Sequence, residues 1–341
     1  MVKETVNLNK IKNQIGVITN KPQTLASSHY RRLTRFFNDG YCLRYLWKYI
    51  LHFVIQYLIS SLDKRKGGRY LLMDATCWEF GSVKFHILTL SIVFQGISVP
   101  LFFVNLNKKG TSSYKERIRV LQMANLLYPL KGMTLLADRE YVGRDWLVDL
   151  VTKFELNFII RLSETDYKKE LNEQKHSYQR LLQKIRRAKS VDVPIFMNGM
   201  RFRFIGQKIH NPENPKDDLL LLITNSNAPK TKIIERYGLR WQTECLFKCL
   251  KSNGFNLQDL GMKNPRKARL MICIIMACYV LCVQQGLKVV GKIQVRKKTK
   301  SLYESVFRKG YSLICNVCQK IVIFIEYLIV MAKKNKYALS P

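Results

Sequence analysis

Met133-Thr134-Leu135-Leu136-Ala137-Asp138 is a short apolar run that ends on a carboxylate, and its place in the chain decides the fold. A run of this length reads as a buried strand. Before it, Tyr114 to Leu127 has a helical pattern after the turn Lys108-Lys109-Gly110-Thr111-Ser112. A strand reached through a helix lies parallel to its neighbour. Further upstream, Tyr70-Leu71-Leu72-Met73 is another apolar run ending on a carboxylate, Asp74. Val83 to Phe94 and Ile97 to Val104 are β-branched and aromatic, and Gln95-Gly96 between them suits a hairpin turn. Arg144 to Lys153 reads as a helix and Leu156 to Arg161 as a strand. The order is three strands, helix, strand, helix, strand: an antiparallel meander followed by parallel strands.

That order is the ribonuclease H-like arrangement, so the expected class is α/β with a ribonuclease H-like core. Residues 69–161 form its first part. Residues 162–228 break the pattern with a basic helical piece (Gln179 to Lys189) and strands at Val191 to Phe196, Met200 to Gln207 and Asp218 to Thr224, with turns at Asn198-Gly199 and Asn211-Pro212. They read as a β-rich insertion. Residues 229–262 return to the core with a helix at 231–252. Residues 1–62 read as a basic helical domain and 263–341 as a helical basic C-terminal region, with Lys64-Arg65-Lys66-Gly67-Gly68 as a linker.

The helix at 231–252 carries Tyr237, Arg240, Glu244 and Lys251 at the spacing Y-x2-R-x3-E-x6-K. At about 100° per residue, Arg240, Glu244 and Lys251 fall near 300°, 340° and 320° from Tyr237, on one narrow stripe. Leu239, Leu246, Phe247 and Leu250 form an apolar face beside it. At roughly one-in-twenty residue frequencies, a chance match to this spacing in a chain of this length is on the order of one in 500. A carboxylate flanked by two cations and a phenol suits metal binding and phosphate grip. Strand ends of a ribonuclease H-like sheet bring Asp74 and Asp138 together, and Glu244 comes from the later helix. Phosphodiester cleavage needs an activated water and charge neutralisation at the leaving oxygen, which two divalent ions supply. Magnesium prefers hard carboxylate oxygens. Asp74, Asp138 and Glu244 are therefore the expected catalytic and metal-holding residues, for two Mg2+ ions with Mn2+ as a substitute. Arg240 and Lys251 are expected on backbone phosphates, and Tyr237 on a phosphate or a base. Taken singly, an Asp after an apolar run is an ordinary turn residue, and Arg240 with Glu244 an ordinary surface pair. Glu79, Glu140 and Asp145 read as structural neighbours. Trp78 and Trp241 flank the site; core packing is their default role, with base stacking by Trp241 the functional one.

Lys and Arg number 58 against 24 Asp and Glu in 341 residues, a formal charge of +34. Such an excess points to a polyanion, and its spread along the whole chain favours nucleic acid over a membrane surface. Arg31, Arg32 and Arg35, interleaved with Tyr30, Phe36 and Phe37, are the expected N-terminal DNA contacts. Nine cysteines, an odd count scattered through apolar helical patterns, read as reduced core thiols of a cytoplasmic protein. Cys315-x2-Cys318 lacks a second pair, which makes zinc a poor reading. The N-terminus shows no signal peptide. The apolar stretches Leu270 to Val283 and Ile321 to Ala332 are shorter than a membrane span and read as core helices, so no membrane partner is expected.

These segments together resemble the DDE transposases of bacterial insertion sequences, in the insertion-sequence-4-like group defined by a Y-R-E-K signature. Asp74-Ala75-Thr76-Cys77-Trp78 looks like the segment of the family's first Asp. Pro100-Leu101, Lys109-Gly110-Thr111-Ser112 and Glu116-Arg117 are similar to its next strand and helix. Asp138-Arg139-Glu140-Tyr141-Val142-Gly143 with Trp146 matches its second-Asp motif, Tyr237, Arg240, Glu244 and Lys251 match its third, and Tyr30 to Phe37 looks like its N-terminal region. The resemblance implies a nucleoid-associated enzyme that cuts DNA at insertion-sequence ends and joins the 3′-hydroxyl to target DNA. Its partners would be terminal inverted repeats and target DNA, held by a homodimer, in some members through a hairpin intermediate handled by Tyr237, Arg240 and Lys251. The competing readings are a nuclease of the same fold without strand transfer, a non-catalytic DNA-binding relative, and a basic membrane-associated protein.

Overall fold

In the computed structural model, which describes residues 5–19, 21–59, 70–80, 83–106, 108, 110–174, 176–187, 189–209, 218–292, 302 and 304–318, the chain opens with helices α1 (Leu8–Ile18), α2 (Ala26–Phe36) and α3 (Trp47–Phe53). Wider, π-type turns at Cys42–Leu46 and Val54–Ile59 flank α3. Strands β1 (Tyr70–Phe80), β2 (Val83–Phe94) and β3 (Ile97–Asn105) follow. Gln95 and Gly96, at φ +47° and +75°, make the tight turn between β2 and β3. Positive φ at both central residues is what a two-residue hairpin turn with matching twist requires.

Helix α4 (Tyr114–Leu127) starts where a capping box starts it: the Ser113 hydroxyl accepts from the Glu116 N–H while the Glu116 carboxylate accepts from the Ser113 N–H. Strand β4 (Thr134–Ala137), helix α5 (Arg144–Thr152) and strand β5 (Asn157–Arg161) come next. β1 pairs with β4 and β4 with β5, both parallel. The spatial order is β3-β2-β1-β4-β5, with the later strands parallel as the sequence order implies.

The segment read as an insertion holds α6 (Lys168–Glu173), α7 (Tyr178–Arg186), β6 (Val191–Met197), β7 (Met200–Lys208) and β8 (Leu219–Thr224). Its strands do not form a sheet of their own. β8 pairs antiparallel with β5 and β7 with β8, so one eight-stranded sheet runs β3-β2-β1-β4-β5-β8-β7-β6. All six residues of β8 are buried, and that burial explains an unbroken apolar run, Leu219-Leu220-Leu221-Leu222-Ile223, where an exposed face would have imposed alternation. Gly206 in β7 has no room for a side chain, because a Cβ there would overlap Ile185 of α7.

Helices α8 (Lys230–Tyr237), α9 (Trp241–Lys251), α10 (Pro265–Lys288) and α11 (Val306–Cys318) follow among the described residues. The single helix expected at 231–252 is interrupted by a 3-10 turn at Gly238–Arg240. A 3-10 turn advances about 120° per residue, so the phase of α9 is shifted relative to α8.

Two units emerge. One comprises residues 67–75 and 88–244; the other comprises 1–66, 76–87 and 245–341. The terminal helical segments, read from the sequence as two regions, thus share one unit. In the sheet unit, Leu72, Leu136, Ile159, Ile205 and Leu222 pack with Ile233 and Tyr237 of α8 into one apolar cluster. In the helical unit, α10 packs on α11 and α3. Gly286 and Gly310 allow the α10–α11 approach: a Cβ on Gly310 would overlap the Cys282 carbonyl, and one on Gly286 the Val306 carbonyl. Asn264 caps α10 and Pro265 occupies its first position. α10 is longer than the apolar run inside it: 24 residues, with a window of mean hydropathy 2.1, long and apolar enough to cross a membrane by composition, yet 72% of that window is buried by the chain itself. Burial also pushes the Cys249 thiol up to about 12 and raises that of Cys273, as expected of inert core thiols. The expected linker 64–68, the turn at Asn211-Pro212, the stretch Ile321 to Ala332 and most of the basic tail lie outside the described residues.

Candidate active site

Parallel register builds the first half of the site. Leu72 sits opposite Leu136 and Met73 opposite Ala137, so the next residue on each strand is an aspartate, Asp74 on β1 and Asp138 after β4. In a parallel pair both carboxylates emerge at the same edge. Each aspartate is anchored by its neighbour's backbone: the Asp74 Oδ1 accepts from the Ala75 N–H at 2.8 Å, and the Asp138 Oδ1 from the Arg139 N–H at 2.8 Å.

The 3-10 turn before α9 supplies the other half. Arg240 donates to the Glu244 Oε1 at 2.7 Å. Its other terminal nitrogen lies 3.7 Å from the Asp74 Oδ2 and 4.0 Å from the Asp138 Oδ2. Three acids, separated by 64 and 106 positions in the chain, thus gather around one guanidinium whose side chain is 17% exposed.

Burial pushes the Asp74 carboxyl up to about 6; the Ala75 N–H and Arg240 pull it down, while the Asp138 and Glu140 charges push it further up. The acids outnumber the cation. Glu140 is the fourth, and its Oε1 is buried with no hydrogen-bond partner. An orphaned buried oxygen beside clustered carboxylates is a demand for positive charge. The donors are hard carboxylate oxygens, the chemistry that magnesium or manganese takes, so the donor set fits a divalent cation. In their present spacing, no three His, Cys, Asp or Glu side chains among the described residues stand close enough to hold one ion together; the Arg240 guanidinium lies among the three acids instead.

The loop carrying Asp138 is fixed from α4. Arg117, 6% exposed, donates to the Glu140 carbonyl at 2.6 Å, the Val142 carbonyl at 3.3 Å, the Ser112 carbonyl at 2.8 Å and the Ser112 hydroxyl at 3.0 Å. Its guanidinium also lies 5.0 Å from the centre of the buried Tyr141 ring. Burial lowers its pKa, against the pull of Tyr141 and Glu140. The sequence marked Arg117 only as part of a family-like segment, with no role of its own, and ranked Glu140 as structural; the spacing Asp138-x-Glu140 was the available signal for the latter.

The other expected residues fall in several places. Tyr237 is 7% exposed inside the apolar cluster, and burial raises its phenol pKa, with the Asp138 charge adding to the rise. Its ring packs in the core while its phenol is close enough to Arg240 and Asp138 to feel both charges, so Tyr237 stays on the side of Arg240 although a 3-10 turn separates α8 from α9. Trp241 is 59% exposed at the start of α9. Lys251, at its end and in the helical unit, donates to the Cys77 carbonyl at 2.8 Å and lies 5.9 Å from the Trp78 ring. Trp78 is buried and stacked on Phe85, as core packing requires. Arg31, Arg32 and Arg35 are exposed on α2.

No curated protein matches the chain. Among solved structures it is similar to a piggyBac transposase in a synaptic complex with hairpin DNA, at 10% identity and a TM-score of 0.45; the overlap covers 91% of this chain and 64% of that one, so the chain spans a little under two-thirds of that chain's length. The family model of the transposase DDE domain matches residues 65–281, well over half of the sequence, and the chain belongs to that family.

Proposed function

We propose that the protein is a divalent-metal-dependent transposase of the Y-R-E-K, insertion-sequence-4-like group, cutting DNA at insertion-sequence ends and joining the freed 3′-hydroxyl to target DNA. One observation carries this reading: Asp74, Asp138 and Glu244 surround a single guanidinium. Asp74, Asp138 and Glu244 would hold the metal, two Mg2+ ions or Mn2+ in their place. Bound there, the metal would activate water or a 3′-hydroxyl and neutralise the leaving oxygen.

The chain's own residues supply the rest. The parallel register of β1 and β4 holds two of the carboxylates at one sheet edge. Arg240 neutralises them until a cation and a DNA phosphate are present, and then turns its planar donor fork to the phosphate. Trp241 is exposed one residue away, where a splayed base could stack on it. Lys251 and the exposed Arg31, Arg32 and Arg35 contribute backbone contacts. The working form is a homodimer holding two terminal inverted repeats in the bacterial cytoplasm.

The test is a joining assay on a duplex carrying the repeats that flank the gene. With magnesium, wild-type protein is expected to convert a labelled 3′-end into joined product. Asp138→Asn and Glu244→Gln, both checked for fold, are expected to give neither cleavage nor joining. Cleavage without joining identifies a nuclease, and cleavage by Asp138→Asn at the wild-type rate overturns the assignment.

A further inference from the structure

A cavity of about 580 Å³ in the helical unit is lined by Arg44, Trp47, Lys48, Arg266 and Arg269, with no acidic residue in its wall. Arg44, in the π-type turn before α3, and Lys48, at the start of α3, stand about one turn apart; Arg266 and Arg269 stand one turn apart at the start of α10. Among the described residues none of the four pairs with a carboxylate. Arg269 is half-buried, lies 4.3 Å over the Trp47 ring, and has a buried Nε with no hydrogen-bond partner. Burial, and then the like charge of Arg266, lower its pKa. Gathering four cations and desolvating one of them is unfavourable unless an anion completes the cluster.

The arrangement favours a nucleic-acid backbone. Two pairs of cations on two helices match a row of phosphates better than one small ion. Aromatic rings accompany them: Lys48 lies 5.9 Å from both the Tyr45 and Trp47 rings, and Tyr41 and Tyr49 are exposed in the same stretch. The large hydrophobic residues exposed over 40–50 are these two tyrosines, with no aliphatic side chain among them, whereas a membrane-surface site needs an apolar face to insert.

We propose that this cavity binds backbone phosphates of duplex DNA, as a site additional to Arg31, Arg32 and Arg35 on α2. The proposal rests on the reading that the protein acts on DNA. The test compares full-length wild type, Arg44→Gln/Arg266→Gln and Arg31→Gln/Arg35→Gln by fluorescence anisotropy with a labelled duplex, across about 50 to 200 mM salt. The first double variant removes two exposed cations and spares the stacked Arg269. It should lower the slope of log affinity against log salt by about 2, so that affinity falls about tenfold less than wild type's over this range, with a melting temperature no lower than wild type's. An unchanged slope and affinity, while the α2 variant loses both, overturns the cavity and leaves DNA action standing. Absence of wild-type binding to duplex overturns both. Vesicles of anionic phospholipid are the second arm: wild-type binding to them that the cavity variant loses, with duplex binding intact, assigns the cavity to lipid headgroups and overturns the proposal.

Discussion

Each of the two units carries a cluster of charged side chains, and the two are unbalanced in opposite directions. In the sheet unit, Asp74, Asp138 and Glu244 share one cation, Arg240, with the orphaned Glu140 oxygen nearby. In the helical unit, four cations share a cavity with no acid. A folded chain ordinarily pairs its half-buried charges. Two uncompensated clusters of opposite sign mean that each awaits a different missing charge: a cation at the sheet edge, an anion between the helices. Removing one charge should therefore have opposite consequences in the two places.

The largest effect is expected at the sheet edge. Asp74→Asn keeps the shape and removes a hard oxygen donor. Losing several kcal/mol of transition-state charge stabilisation lowers the cleavage rate by about a thousandfold or more, measured in single turnover with magnesium on protein whose circular dichroism matches wild type. A rate within tenfold of wild type would make Asp74 a purely structural residue of β1 and dissolve the contrast.

Next comes the support beneath Asp138. Arg117→Met keeps much of the stem and leaves the Glu140, Val142 and Ser112 carbonyls without their donor. Truncating a buried, hydrogen-bonded charge costs about 3 kcal/mol. Since Arg117 touches the backbone of the loop and not the acids, its loss should lower both the melting temperature and the cleavage rate, with DNA affinity unchanged. Arg117→Lys, a cation without the fork, should restore little of either.

How legible this was in the sequence differs between the units. In the sheet unit, apolar runs ending in Asp located β4 and the first half of β1, which runs on past Asp74 to Phe80, and the helix between them forced parallel pairing, so the meeting of Asp74 and Asp138 could be read in advance. The hairpin at Asn198-Gly199, with φ +48° and +73°, was legible for the same local reason. Two things were not. Nothing in residues 162–228 announced that β8 would extend the first sheet, because a fully buried antiparallel strand and a strand of a separate insertion have the same apolar run. The 3-10 turn at Gly238–Arg240 was also hidden: helical periodicity over Tyr237 to Lys251 assumes one phase, and three tighter residues interrupt it. In the helical unit, the basic cavity joins residues more than 200 positions apart, and charge counting along the chain cannot see such a meeting.

Arg240→Gln sharpens the comparison from the acidic side. It strips the guanidinium from among Asp74, Asp138 and Glu244 and leaves their repulsion unopposed. For a side chain only 17% exposed, a loss of about 2 kcal/mol is expected, or a drop in melting temperature of roughly 4–8 °C. Millimolar magnesium should then raise the variant's melting temperature by more than it raises wild type's, since the acids lack their internal cation. Equal responses to magnesium would mean that Arg240 is not standing in for the metal.

The smallest effect has the opposite sign. Lys48 is exposed beside Arg44, Arg266 and Arg269 and has no carboxylate partner among the described residues. Lys48→Gln deletes a repulsion rather than an attraction, so it should raise the melting temperature by about 1 °C at low salt. The gain should vanish near 0.5 M salt, where screening shortens the reach of exposed charges to about one contact distance. Saturating duplex should reverse the order, because the wild type then gains a phosphate contact that the variant lacks. A cation whose removal stabilises the protein alone and weakens it on DNA is kept for its ligand and not for the fold. Should Lys48→Gln instead destabilise the isolated protein, as Arg240→Gln is expected to do, the cations of the cavity are compensated within the chain, and the two clusters do not differ in kind.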